Sequence, residues 1–151
     1  MDMTSREMKA IMGAVAVLQQ GDRERGRAML LQLWEELEPQ GHPLQLSTLG
    51  HFLADTETDI AGELEWDLRA LEAATGSRET EDRDALAPVP ESFLSSLHLS
   101  VAEGYRRSGD RESARRHGLF AANHIAALSD DAYGKLVRSG LRRLQAALGR
   151  A

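Results

Sequence analysis

The tetrapeptide Gly-Asp-Arg-Glu occurs twice in this chain, at positions 21–24 and 109–112, 88 residues apart. On either side of both copies, apolar residues recur at i, i+3, i+4 and i+7, the spacing of a helix with one buried face. A glycine at such a place supplies the left-handed end of one helix. The aspartate that follows caps the next. The two copies therefore mark the same turn in two helix–turn–helix units, and the chain is expected to be built by repetition of that unit.

The remaining sequence agrees with an all-α fold. Aromatic residues make up 5% of the chain, and no Asn-Gly hairpin turn occurs. Thr4 and Glu7 form a capping box for a first helix that runs to about Gln20. Asp22 caps a second that ends near Glu38, and Pro39, Gly41 and Pro43 enforce the next turn. Helices are expected over 43–55 and 59–74, the latter closed by Gly76, then over 91–108 and 111–128. Ser129 is expected to cap a final helix over 130–148. Between them, residues 76–90 are polar and acidic, carry Pro88 and Pro90, and read as a long loop. The expectation is one domain over 1–151: three helical pairs (4–38, 43–75, 91–128) and a closing seventh helix.

The pairs share a finer pattern. The third carries His98-x2-Val101-Ala102-x2-Tyr105 on its first helix, then Ala114 and Ala121 on its second. The middle pair has Leu46-x2-Leu49-Gly50-x2-Leu53 followed by Gly62 and Trp66, and the first has Ala10-x2-Gly13-Ala14-x2-Val17 followed by Gly26 and Leu30. In each, nine positions separate the last first-helix residue from the small second-helix residue: 17 to 26, 53 to 62, 105 to 114. This resembles the tetratricopeptide repeat family, whose unit of about 34 residues places W-x2-L-G-x2-Y on one helix and A-x3-F on the next. The resemblance implies a helical-hairpin solenoid in which Gly13, Ala14, Gly50, Ala102, Gly26, Gly62 and Ala114 allow close helix approach. It is degenerate: the small second-helix positions are 36 and then 52 residues apart, the middle turn at Glu57 and Thr58 has no glycine, and the unit's terminal proline is missing or displaced.

Composition narrows the function. The chain has no cysteine, which excludes disulfides and thiolate metal sites and suits a reducing compartment. The N-terminal MDMTSREMKA has no signal-peptide pattern, and no run nears the ~18 apolar residues of a membrane span. A cytoplasmic protein is expected, and the preference for Arg over Lys suggests a bacterial one. No phosphate loop, dinucleotide fingerprint, zinc-protease motif or nucleophile elbow is present, so no enzyme, cofactor or metal is expected. His51 and Asp55 lie four apart on one helix face, but two ligands do not make a metal site. By the resemblance, His98 stands where the family places a large packing residue, so it reads as a half-buried core histidine.

What remains is binding. The resemblance places a concave surface on the first helices: Met8, Ile11, Val15, Leu18 and Gln19, then Leu44, Ser47, His51 and Asp55, then Leu99, Glu103, Arg106 and Arg107. Along the first helix, Met8, Ile11, Met12, Val15 and Leu18 form a second apolar stripe where a surface helix is normally polar. Three accounts of it stand: a site for a partner segment, a twofold contact with another copy, or burial within the monomer. At the other end, Arg106, Arg107, Arg111, Arg115 and Arg116 suit a peptide carboxylate or an acidic segment. The net charge of −6, two lysines and the lack of interleaved aromatics argue against nucleic acid. The expected function is a protein- or peptide-binding adaptor, with a homodimer through its first helix as one of its expected forms. The alternative is a regulatory module that senses a small ligand or meets nucleic acid through the arginines. The loop acids Glu79, Glu81, Asp82 and Asp84 are expected to fold back on the arginine patch.

Overall fold

A computed structural model describes residues 5–149, all α-helix and connecting turns. The helices are α1 (Arg6–Gln19), α2 (Arg23–Leu37), α3 (Pro43–Asp55), α4 (Ile60–Thr75), α5 (Glu91–Ser108), α6 (Arg111–Asn123) and α7 (Ala132–Gly149). Thr4, half of the expected capping box, lies outside the described residues. Ser5 caps α1 instead, its Oγ accepting from Met8 N at 3.2 Å. Among the described residues there is no strand, and no helix is long and apolar enough to cross a membrane.

The two Gly-Asp-Arg-Glu turns are built alike. Gly21 and Gly109 have φ of 94° and 92°, the left-handed region where a side chain would be strained. Asp22 accepts from Arg25 N at 3.2 Å and Asp110 from Ser113 N at 3.1 Å. The arginine of each copy then reaches across to the end of a neighbouring helix. Arg23 donates to the carbonyls of Thr56 and Glu57, both at 2.9 Å, just past α3. Arg111 donates to Leu148 O at 2.7 Å and Ala147 O at 3.3 Å, at the end of α7. One turn later Arg27 donates to Thr56 Oγ1 at 2.7 Å, and Arg115 to Leu148 O at 3.2 Å. The last carbonyls of a helix have no partner within it, so these guanidinium groups satisfy acceptors that water would otherwise take. Thus α6 holds α7 as α2 holds α3.

Each helix packs on the next, α1 also touches α3, and α5 also touches α7. A Cβ on Gly26 would lie 2.5 Å from Leu18 Cδ2, one on Gly50 3.0 Å from Ala70 Cβ, and one on Gly104 2.8 Å from Leu64 Cδ1. Gly62 serves differently, beside the Glu57 and Asp59 carboxylates of the α3–α4 turn, where Asp59 accepts its N–H at 2.6 Å.

Helix α1 is rotated relative to the expected arrangement. Gly13 has no neighbour within 4 Å, and Ala10 is exposed. Met8, Ile11, Ala14 and Val15 are buried instead, against Leu30, Trp34, Leu49 and Leu53. Larger side chains bury more apolar area, and that gain outweighs the closer approach that small ones allow. In the same layer Trp34 and Trp66 meet edge-to-face, centroids 5.1 Å apart, their indole N–H groups donating to Glu38 and Glu57.

Two expected boundaries move. Helix α6 stops at Asn123 rather than 128, and a short 3-10 turn follows over Ile125–Ala127. At the start of α7, Asp131 rather than Ser129 caps, accepting from Gly134 N at 2.8 Å. Ser129 is occupied through its carbonyl, which takes an Arg138 hydrogen bond at 3.2 Å. The 76–90 connection is packed. Arg78 forks onto Glu65 at 3.1 Å, Val89 is buried, and a 3-10 turn over Asp84–Leu86 puts Asp84 inside.

Two stability results are expected. Val15→Glu should unfold the monomer or cost at least about 3 kcal/mol, read by chemical denaturation, because it buries an unpaired charge. Arg111→Met should cost about 1–2 kcal/mol and raise amide exchange first at the end of α7, since it frees Ala147 O and leaves Leu148 O to Arg115 alone.

Candidate functional site

A groove of about 680 Å³ runs between α3, α4, α5 and α7. His51 and Asp55 enter it from α3, Glu63 and Asp67 from α4, and Leu99, Glu103 and Arg106 from α5. The far wall is Tyr133, Leu136, Val137, Gly140 and Arg143 of α7. Gly140 lets α7 sit close to α5, since a Cβ there would be 2.9 Å from Leu99 Cδ2.

Five residues expected on the concave surface therefore share one cavity: His51, Asp55, Leu99, Glu103 and Arg106. Arg107 is outside it, paired with Glu63 at 3.1 Å. Val15, Leu18 and Gln19 border a separate hollow of about 340 Å³ beside Phe52 and Asp55. Met8 and Ile11 are buried in the core, and Val15 is only 3% exposed. The α1 stripe thus offers a partner only Met12, Leu18 and Gln19. Leu44 is half-buried against the core, and Ser47 is buried with its hydroxyl donated to Pro43 O at 2.7 Å.

The groove's character comes from its acids. Asp67 is 4% exposed, lines the cavity and has no hydrogen-bond partner among the described residues. Burial, reinforced by Glu63 and Asp55, pushes its carboxyl up to about 8. Burial also raises Asp55, with His51 opposing and Glu63 adding to the shift. His51 is lowered by burial, against the pull of Asp55, and its Nδ1 is buried without a partner. A carboxyl left unpaired in a poorly hydrated site favours its neutral form until a cation arrives.

The arginines that suggested an acidic partner are mostly engaged within the chain. Arg106 pairs with Glu103, Arg107 with Glu63, and Arg116 with Glu79 at 3.3 Å. Arg111 and Arg115 hold the end of α7. Of the loop acids, Glu79 does meet the arginine patch, whereas Glu81 accepts from Asn123 at 2.7 Å and Asp84 meets histidines. The sequence analysis placed neither Glu63 nor Asp67 in the site and missed the α7 wall. The available signal was Asp67 itself, an acid between Trp66 and Leu68 with Leu64, Ala70 and Leu71 at helical spacing on its own face. No protein-family model, curated protein or solved structure matches this chain.

The Asp67 carboxyl titrates higher in the fold than in the unfolded chain. The folded state therefore holds an extra proton between the ordinary carboxylate range and about 8, and stability falls as pH rises through that window. Asp67→Asn should be nearly neutral at pH 5 and stabilising at pH 9, on the order of 2 kcal/mol, by denaturant titration at both pH values.

Proposed function

We propose that this protein is a non-enzymatic, peptide-binding adaptor of tetratricopeptide-like construction, whose groove takes a segment carrying a basic side chain. The observation that carries the reading is Asp67. It is a buried carboxyl without a hydrogen-bond partner, facing a cavity that Asp55 and Glu63 make more acidic. A lysine or arginine seated there would recover the hydrogen bonds and charge that the fold leaves unmet, and a charge-assisted bond of this kind is among the stronger polar contacts. Leu99, Val137 and the face of Tyr133 supply apolar wall for the aliphatic stem of such a side chain. The mixed lining, apolar sides with a few converging polar groups, is the usual character of a recognition cavity.

Construction from repeats is supported by the two matched turns and by the equivalent arginine contacts of α2 on α3 and α6 on α7. Such arrays commonly use an extended concave surface for binding.

Selection from a displayed library of random peptides against the immobilised protein is the direct test. Enrichment of a lysine or arginine at one register, lost when the same peptides meet Asp67→Asn, is expected. Binding at pH 7 should also release a proton from Asp67, seen as a dependence of the calorimetric enthalpy on the buffer's ionisation enthalpy. Selected peptides with no basic preference, or with affinity untouched by Asp67→Asn, would overturn the reading.

A further inference from the structure

Away from the groove, the chain gathers three histidines and a carboxylate inside the fold. Asp84 comes from the 76–90 connection, His98 from the middle of α5, and His124 from the position that ends α6. Asp84 Oδ2 is 2.9 Å from His98 Nε2 and 2.7 Å from His124 Nε2. One donor atom from each of the three residues lies within 4.8 Å of the others. His98 is fully buried and the Asp84 side chain is 3% exposed. We propose that Asp84, His98 and His124 form a binding site for a divalent first-row transition-metal ion of the zinc type.

The donor set has the right chemistry, since two imidazoles and a carboxylate suit zinc and its neighbours and do not suit magnesium or calcium. Ligand atoms about 2.0 Å from a tetrahedral ion are about 3.3 Å apart. The two Asp84 contacts, at 2.9 and 2.7 Å, would open towards that distance, and the two imidazole nitrogens already lie within 4.8 Å of each other. A fourth donor is at hand in Glu81, whose Oε2 is 3.8 Å from His124 Nε2.

Two further observations point to an ion rather than to a plain ion pair. The second carboxylate oxygen, Asp84 Oδ1, is buried with no hydrogen-bond partner. The outer nitrogen of each histidine is also held. His124 Nδ1 is 3.2 Å from Glu91 Oε1, and His98 Nδ1 is 3.1 Å from His117 Nδ1. A ligating histidine characteristically has its far nitrogen engaged in this way, which fixes the tautomer and turns the other nitrogen to the metal. With His98 Nε2 turned to the ion, its Nδ1–H faces His117 Nδ1, which stands in place to accept it. The Phe120 ring, 5.3 Å from His98 and 5.4 Å from His117, keeps the interior side apolar.

The experiment is a titration of the untagged, chelator-stripped chain with Zn2+ in competition with a chromophoric chelator, and with Co2+ followed by visible absorption. One equivalent of each ion should bind, with the intense visible bands of low-coordinate cobalt and a rise in melting temperature. His124→Gln and Asp84→Asn should weaken Zn2+ at least about 30-fold, and Glu91→Gln about 10-fold by loosening His124. His51→Gln should change nothing, which separates this site from the groove. Circular dichroism checks folding, and Glu91→Gln, a change at an exposed residue, decides the matter if Asp84→Asn unfolds. Absence of stoichiometric binding, affinity unchanged in folded His124→Gln or Glu91→Gln, or affinity lost in His51→Gln would each overturn the proposal. The cluster would then be a buried histidine–carboxylate network and nothing more.

Discussion

The guanidinium of Arg23 on the end of α3, and that of Arg111 on the end of α7, set the angle at which one helical pair meets the next element. Both begin from a left-handed glycine and a capping aspartate, so the arginine is delivered by a rigid turn rather than by a flexible surface helix. Its target is the one part of a helix with unpaired acceptors, which makes the contact directional in a way that apolar packing is not. With these ends pinned, α3 and α7 stand where their side chains reach the groove. The cavity that α3 and α7 wall is thus a consequence of contacts made well outside it.

Much of this was legible from residue spacing. The helix count, the two glycine turns and the aspartate caps depend on local backbone preferences that single residues announce. The role of the third residue in the tetrapeptide was not legible, because Arg23 acts on carbonyls 33 and 34 positions away. The rotation of α1 escaped for a related reason. Its two apolar stripes satisfy the same periodicity, and only the shape of the surface formed by α2 and α3 chooses between Gly13 and Val15. Asp67 shows a third limit. Whether a helix carboxylate is solvated or buried depends on which distant elements pack around it, and for Asp67 these include the far wall of the groove formed by α7.

Charge is distributed in two ways through the fold. Most arginines are matched within the chain, to carbonyl ends or to Glu63, Glu65, Glu79 and Glu103. Asp67, by contrast, is buried without a partner, and it faces the same groove as the exposed Asp55. A folded chain seldom leaves buried ionisable groups without partners, and where it does the deficit is commonly functional. The histidine cluster has the opposite organisation: almost every polar atom is engaged, and the exceptions are Asp84 Oδ1 and His117 Nε2.

The connection over 76–90 is anchored at both ends of its course, by Arg78 on Glu65 of α4 and by Asp84 among histidines of α5 and α6. It therefore acts as a strut across the joint between the first four helices and the last three. Sliding one block along the other would have to pull a buried carboxylate away from two imidazoles at once. A segment that looks in sequence like slack thus becomes a brace that opposes shear at the joint between the helices carrying one wall of the groove and those carrying the other.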